Sequence, residues 1–431
     1  MNLLINKSLV SHSELAAGLH SHLELTGSKS ETNRLLLLQA LYPNITLENT
    51  SNSDDSRVMI SILHNSKLET RNPQLFDIHH AGTAMRFLTA YFAIQENREV
   101  ILTGSTRMKE RPIKILVDAL RQLGAEITYE ANEGFPPIKI KGKKLTQSKV
   151  TLPANVSSQY ISGLLLIAPK LENGLELTLE GEITSIPYIK MTLALLNQIG
   201  VETAFENNVI TVKSLVTLSA VEGQQLIIES DWSSASYFYS IVALSPVGTQ
   251  ITLSSYKQKS LQGDSALVEI YKDFGVETIF NDNKSITISK TAIHNSQFTI
   301  QNLELNNSPD IAQTIAVTAF GLGIGCHLTG LHTLKIKETD RLEALKTELT
   351  KLGADISVTE DSLTLVAEVL SFGKDLGRES IATYQDHRMA MAFAPLALLI
   401  PIIIEDAEVV SKSFPSFWED LKSIGFQIET V

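Results

Sequence analysis

Arginine is scarce in this chain, so its placement is informative. The 431 residues hold 11 arginines, none between Gln122 and Asp340, and six of them fall in five short segments. The segments are TGSKSETNR, HAGTAMR, RMKER with the following Pro112, KETDR and DHRMAM, and the arginines are Arg34, Arg86, Arg107, Arg111, Arg341 and Arg388. Guanidinium pairs bidentately with carboxylate and phosphate, whereas lysine supplies a point charge. The pattern points to a small polyanionic ligand.

Each segment also has a plainer reading. From Thr26 a strand (LEL) passes through a Gly-Ser turn into the helix NRLLLLQAL. Backbone amides at that helix start, with Lys29, Ser30 and Arg34, make either an anion cradle or a Ser-capped helix with basic neighbours. It is not a Walker A loop, which needs glycine directly before the lysine and another five positions earlier. Gly82 and Thr83 open a second helix, with Arg86 one turn later. In VSSQY, Ser157, Ser158 and Gln159 are neutral donors suited to a polyol or phosphate, or a simple N-cap; Ser185 and Tyr188 in TSIPYIK are similar. Asp310 begins a helix after a proline, where a carboxylate suits the helix dipole. KETDR predicts Lys337 and Arg341 on one helical face beside Glu338, either a surface ion-pair network or an acid held between cations. Asp386, His387 and Arg388 precede an apolar helix, and Lys412 follows a strand in SKSFP.

These segments are positioned by an internal repeat. An amphipathic helix of about three turns, a glycine and a short alternating strand recur from Arg111, Pro187, Gly263, Lys337 and Phe414, with the glycines at Gly124, Gly200, Gly275, Gly353 and Gly425. Their separations are 76, 75, 78 and 72 residues. Each glycine fits the left-handed position that ends a helix. A degenerate sixth copy starts at Asp54 without its glycine. Six copies predict an α/β chain of two domains with three repeats each, divided near Ser230 to Ser233, where SDWSSAS reads as a turn cluster.

Composition excludes several classes. With 43% hydrophobic residues the chain builds a real core, and 36 Lys plus Arg against 48 Asp plus Glu leave −12, which offers nucleic acid or anionic lipid no basic face. A lone cysteine, Cys326, rules out intrachain disulfides and a cysteine-built zinc cage. The longest apolar stretch, Met391 to Ile404, is 14 residues long and interrupted by Pro395 and Pro401, too short and broken to span a bilayer. MNLLINKSLV lacks the pattern of a signal peptide, and a cytoplasmic protein is expected.

Together and in order, GSKS-x-x-NR, AGTAMR, RMKERPI, SSQ, PYI, SASYF, QGD, PD, KETDRL, DHRMAM and K-x-FP resemble the enolpyruvyl transferases, and within them the members that join phosphoenolpyruvate to shikimate 3-phosphate. The resemblance runs from about Glu24 to Phe414. It implies a two-domain inside-out α/β barrel, each domain built of three βαβαββ units around a pseudo-threefold axis. One domain would comprise residues 1–26 and 230–431 and the other 27–229, with the site in a cleft that closes on ligands. By the same resemblance, Lys29, Ser30, Arg34, Ser157, Ser158, Gln159, Ser185, Tyr188, Asp310, Thr333 and Lys337 would hold shikimate 3-phosphate. Lys29, Gly82, Arg111, Gln159, Arg341, Arg388 and Lys412 would hold phosphoenolpyruvate. Asp310 would be base at the 5-hydroxyl and Glu338 acid, then base, at the methylene, with Lys29 assisting. Neither metal nor organic cofactor is implied, and the protein would act as a monomer without nucleic acid or membrane.

The chain departs from the family pattern at Thr26, His80, Phe87 and Thr333, where proline, asparagine, proline and asparagine are usual; none removes a catalytic charge. The sister transferase that acts on a UDP-amino sugar relies on a loop cysteine as acid, whereas Cys326 lies in the apolar FGLGIGCHLTG. An inactive anion-binding relative is the other alternative.

Overall fold

The computed structural model describes residues 1–6, 20–68, 73–183, 186–215, 223–292, 301–366 and 379–431. The chain forms two compact lobes: a terminal lobe, Met1–Thr26 with Glu229–Val431, and a central lobe, Gly27–Ile228. Five four-stranded sheets share one plan. In the sheet Gln74–Asp77, Glu99–Thr103, Glu126–Tyr129 and Ile138–Lys141, the first two strands are parallel, and the fourth enters antiparallel between the second and third. Helix Gly82–Ala93 joins the first two strands and helix Lys114–Gln122 follows the second, giving a βαβαββ unit. The sheets that begin with Lys149–Pro153, His20–Leu23 and Gln301–Glu304 repeat this order. In the fifth, Leu3–Asn6 takes the fourth place beside Glu379–Ile381, Ile402–Ile404 and Gln427–Thr430. A sixth pairing joins Thr46–Glu48 to Gln225–Ile227 in parallel, and helix Asp54–Leu68 occupies the place of the degenerate copy.

The layering follows from which surfaces are apolar. Sheet strands alternate buried and half-buried residues, as in Glu99–Thr103 and Ile286–Lys290, so each sheet has one face nearer water. The first helix of each unit is buried nearly all round. In Gly82–Ala93 every residue but Thr83 is buried. Helices Lys29–Leu41, Gly82–Ala93 and Ser158–Ile167 pack on one another in the central lobe, and Trp232–Leu244, Ala312–Leu322 and His387–Phe393 do so in the terminal lobe. Helices that are apolar all round take the interior, which puts helices inside and sheets outside. Small residues permit the close approach: a Cβ on Gly321 would meet Leu244 at 2.7 Å, and one on Gly163 would meet the Arg86 carbonyl at 3.4 Å. Hydroxyl pairs, Ser236 with Thr314 at 3.1 Å and Thr318 with Ser240 at 2.8 Å, satisfy the polar side chains between two of these helices.

All five repeat glycines have positive φ: 102°, 86°, 72°, 93° and 101° in chain order. Two local expectations need correction. The copy from Gly263 is a 3-10 turn, Gly263–Ala266, plus a short helix, Leu267–Ile270, in place of a three-turn helix; Gln262 and Asp264 are held inward there by Trp232 and Ser233. SDWSSAS is no turn cluster: Asp231 caps helix Trp232–Leu244 by accepting the Ser234 N–H at 2.9 Å. Of the apolar stretch from Met391, residues 391–397 are core while Leu399 is exposed, and among the described residues no helix is long and apolar enough to cross a membrane.

Glycines at different places should respond differently to a methyl group. At Gly124 a Cβ meets nothing within 4 Å, so Gly124→Ala carries only left-handed strain, about 1–2 kcal/mol. At Gly27, where the chain enters the central lobe, a Cβ would lie 1.8 Å from the Asn49 carbonyl oxygen and 2.8 Å from Ile228. Gly27→Ala should cost about 3 kcal/mol or more. Urea unfolding of both variants measures the difference, and equal losses would contradict the packing described.

Candidate active site

The residues singled out in the sequence share one structural address: the loops that follow the carboxyl ends of strands, and the helix starts those loops feed. Gly82 follows Gln74–Asp77, Arg111 follows Glu99–Thr103, Ser157 follows Lys149–Pro153, Asp310 follows Gln301–Glu304, Lys337 follows Cys326–Thr329 and Lys412 follows Ile402–Ile404. Unsatisfied N–H groups and the positive end of the helix dipole make such starts favourable to anions.

In the central lobe, Arg34 projects from the first turns of helix Lys29–Leu41 into the interior and is 2% exposed. Its Nε donates to Thr192 Oγ1 at 2.8 Å, Nη1 to the Ser30 carbonyl at 2.8 Å, and Nη2 to Ser162 Oγ at 2.9 Å. The rings of Phe87 and Tyr188 lie 5.4 and 5.8 Å from its guanidinium carbon. Among the described residues no carboxylate pairs with it, and burial pulls its pKa down to about 10. Lys29 faces Asp55 at 4.0 Å. Arg111 lies against the start of helix Gly82–Ala93: a Cβ on residue 82 would come within 2.6 Å of its Nη1. Glycine is therefore what lets a guanidinium rest on that helix terminus. Gln159 donates to Thr83 Oγ1 at 3.1 Å across to the same helix start, and Ser157 caps its own helix by accepting the Gln159 N–H at 3.4 Å.

Two other arginines from the same motifs have different tasks. Arg86 is buried and donates to the Gly82 carbonyl at 3.2 Å and the Pro112 carbonyl at 3.1 Å, bracing the loop that carries Arg111. Arg107 is exposed and pairs with Glu110 at 3.2 Å. Ser185 lies outside the described residues.

The terminal lobe holds a denser cluster. Arg341 is 2% exposed and bridges three carboxylates: Nη1 to Asp310 Oδ1 at 2.8 Å, Nη2 to Glu338 Oε2 at 2.9 Å, and Nε to Asp386 Oδ2 at 2.6 Å. Burial alone would lower its pKa, but Asp386, Glu338 and Asp310 hold it above the ordinary value. Lys337 Nζ lies 3.6 Å from Asp310 Oδ1. Arg388 donates to the Asp310 carbonyl at 3.0 Å and to Ser233 Oγ at 3.2 Å, with Asp310 Oδ2 3.5 Å away. Lys412 donates to the Gln385 carbonyl at 2.7 Å. Thr333 sits in the turn His332–Ile336, which packs on the turn carrying Asp310, and its buried Oγ1 has no hydrogen-bond partner among the described residues.

The helical-face reading of KETDR is corrected here. The helix begins at Arg341, because Asp340 caps it by accepting the Leu342 and Glu343 N–H groups at 3.1 and 3.2 Å. Lys337 and Glu338 lie in the preceding turn, and Asp310 brings Lys337 and Arg341 together. Glu338 pairs with Arg341, and the acid that lies between Lys337 and Arg341 is Asp310, from another segment.

A family model described as EPSP synthase (3-phosphoshikimate 1-carboxyvinyltransferase) matches residues 15–421. A 3-phosphoshikimate 1-carboxyvinyltransferase of Bacteroides fragilis (strain YCH46) is 45% identical over 413 residues, covering 94% of this chain and 96% of that one. The chain belongs to the EPSP synthase family. A relative of the same name from Sulfurovum sp. (strain NBC37-1) is 36% identical over 429 residues, covering 94% and 97% of the two chains. In fold, an EPSP synthase structure from Acinetobacter baumannii superposes with a TM-score of 0.75 at 20% identity, covering 100% of both chains.

Within the motifs, the EPSP synthase cluster includes two carboxylates whose partners the sequence spacing does not reveal. Asp386 is fully buried and serves Arg341 and the Arg388 N–H, the latter at 2.8 Å. Asp264, 4% exposed, accepts from Ser233 Oγ. Burial, and then the neighbouring Asp310 charge, push the Asp264 carboxyl up to about 6, against the opposing pull of Arg388 and Ser233. Asp264 lies in the QGD motif and Ser233 directly precedes SASYF; only the folded chain joins them.

A raised carboxyl pKa has a definite sign in stability. The folded protein binds the Asp264 proton more tightly than the unfolded chain, so this residue's contribution is greatest below the ordinary value of 3.8 and is lost as pH rises through about 6. Asp264→Asn should therefore raise stability relative to the parent by about 1–2 kcal/mol at pH 8. The gain should vanish near pH 4. Thermal unfolding of both proteins across that range reads the difference; a constant gap would show that Asp264 is not the titrating group.

Proposed function

We propose that Asp310, Glu338 and Lys29 carry the chemistry of 3-phosphoshikimate 1-carboxyvinyl transfer: the enolpyruvyl group of phosphoenolpyruvate passes to the 5-hydroxyl of shikimate 3-phosphate, releasing phosphate. The family assignment supports the reaction, a step of the shikimate pathway leading to aromatic amino acids. The observation that carries the residue roles is the shared guanidinium: Arg341 holds Asp310 and Glu338 at once, at 2.8 and 2.9 Å.

The reaction asks for two proton carriers. In the addition, Asp310 takes the 5-hydroxyl proton as that oxygen bonds to C2 of phosphoenolpyruvate, while Glu338 protonates the C3 methylene. In the elimination, Glu338 removes a proton from the new methyl group, the double bond re-forms and the C2–O bond to phosphate breaks. Lys29 assists the proton transfers. Side chains of Asp310 and Glu338 are 14% and 23% exposed, so both keep a path to a ligand while their orientation is fixed from behind.

Charge placement supports the binding roles. Lys29, Ser30, Arg34, Ser157, Ser158, Gln159, Tyr188, Thr333 and Lys337 are read as shikimate 3-phosphate contacts, with Ser185. Arg34 suits a phosphate, since its field is left unneutralised by any carboxylate pair among the described residues. Gly82, Arg111, Gln159, Arg388 and Lys412, with Lys29, are read as phosphoenolpyruvate contacts. Arg341 fits less as a direct ligand than as the clamp that orients both acids. We read the enzyme as a cytoplasmic monomer. Transfer to a UDP-amino sugar is disfavoured because Cys326 lies in a strand, and burial pushes its thiol up to about 12.

Phosphate release with phosphoenolpyruvate and either shikimate 3-phosphate or UDP-N-acetylglucosamine tests the assignment. Release is expected with shikimate 3-phosphate alone, and Asp310→Ala and Glu338→Ala should each lower kcat by about 10²–10⁴-fold. Release only with the sugar nucleotide would reassign the substrate. Near-parental kcat in either variant would remove that residue's role.

A further inference from the structure

Glu348 lies on helix Arg341–Lys351, apart from the two carboxylates assigned to proton transfer, and is fully buried. Its carboxylate accepts the Tyr384 hydroxyl at 2.6 Å and the Ala382 N–H at 3.3 Å, and it pairs with the Lys351 ammonium at 2.8 and 2.7 Å. What it grips is a turn. Tyr384 and Gln385 have φ of 52° and 56°, two successive non-glycine residues in the left-handed region, a conformation that persists only where its surroundings impose it. The Asp386 N–H closes the turn on the Thr383 carbonyl at 2.8 Å. The left-handed pair aims the Gln385 carbonyl outward to accept Lys412 Nζ at 2.7 Å. It also delivers Asp386 to Arg341 and to the Arg388 N–H.

We propose that Glu348 is a positioning residue for phosphoenolpyruvate. Through Tyr384 it holds the turn whose Gln385 carbonyl orients Lys412, so a buried acid on the far side of the turn sets where that ammonium meets its ligand. The proposal rests on the reading of Lys412 as a phosphoenolpyruvate contact. No covalent step is involved; the effect is geometric, and it should be specific to one substrate.

Glu348→Gln is the direct variant, but replacing a fully buried carboxylate that pairs with the Lys351 ammonium threatens folding. Tyr384→Phe removes one hydrogen bond at a residue that is 39% exposed and carries the test. Four proteins, the parent, Tyr384→Phe, Lys412→Met and the double variant, are compared by KM for each substrate, kcat and thermal midpoint. Tyr384→Phe should raise the phosphoenolpyruvate KM about 3–10-fold, in keeping with the net contribution of one hydrogen bond, and leave the shikimate 3-phosphate KM within about twofold. In the Lys412→Met background the same change should add nothing, because the two act in series. Equal rises in both KM values, or full additivity in the double variant, would overturn the brace. If Lys412→Met alone leaves the phosphoenolpyruvate KM unchanged, the assignment of Lys412 fails and the proposal with it. A rise in Lys412→Met without one in Tyr384→Phe overturns the brace alone.

Discussion

Arg341 is charged at every pH the folded protein meets, and it is buried. An isolated guanidinium in that position would be very costly; three carboxylates make it stable. They come from separate segments: Asp310 after strand Gln301–Glu304, Glu338 after Cys326–Thr329, Asp386 after Glu379–Ile381. One side chain therefore ties together loops from two repeats of the terminal lobe. Removing any partner would leave buried charge uncompensated, so the contacts that orient the acids are the same ones that keep this lobe intact. The remaining members attach to that node, Lys337 and Arg388 through Asp310, and Lys412 through the turn that ends at Asp386.

The node exists because of how the layers are stacked. Apolar first helices run through the interior of each lobe, and their amino termini surface where the parallel strands end. Polar side chains at these termini are only partly in water, held by caps and by hydroxyl pairs. The same arrangement supplies orphan N–H groups and a favourable dipole at each loop, so an anion is welcomed by backbone before any side chain is counted. Small residues on the helices, Gly163 and Gly321 among them, are what allow three helices to approach closely enough for their starts to cluster.

Much of this is legible before folding, for identifiable reasons. Glycine after a helix is legible because a left-handed residue excludes most others, and all five predicted positions have positive φ. The charged motifs are legible as residue types at helix starts. Contacts across sequence are not. Glu348 and Asp264 look like ordinary surface acids in amphipathic segments, and only packing turns them inward to Tyr384 and Ser233. Lys337 and Arg341 have helical spacing, yet Asp340 is a stronger N-cap than any residue before it, so the helix starts later. Two sheets also borrow strands from afar: Leu3–Asn6 inserts between Ile402–Ile404 and Gln427–Thr430, and Thr46–Glu48 pairs with Gln225–Ile227. No local periodicity encodes such partners.

The two lobes treat a buried guanidinium in opposite ways, and the contrast bears on what each can bind. Arg341 is surrounded by formal negative charge, so its field is largely cancelled and its value lies in geometry. Arg34 is satisfied by two hydroxyls, two carbonyls and two aromatic faces, with no carboxylate paired to it among the described residues and the Glu31 charge opposing only part of the effect of burial. Desolvation lowers its pKa, and a low-dielectric setting strengthens its attraction for any anion that approaches. A protein with a formal charge of −12 repels polyanions at long range, so capture must depend on local cations held by neutral partners. One repeat architecture thus yields a lobe whose buried arginine is ringed by the carboxylates it holds and a lobe whose buried arginine is held by neutral groups.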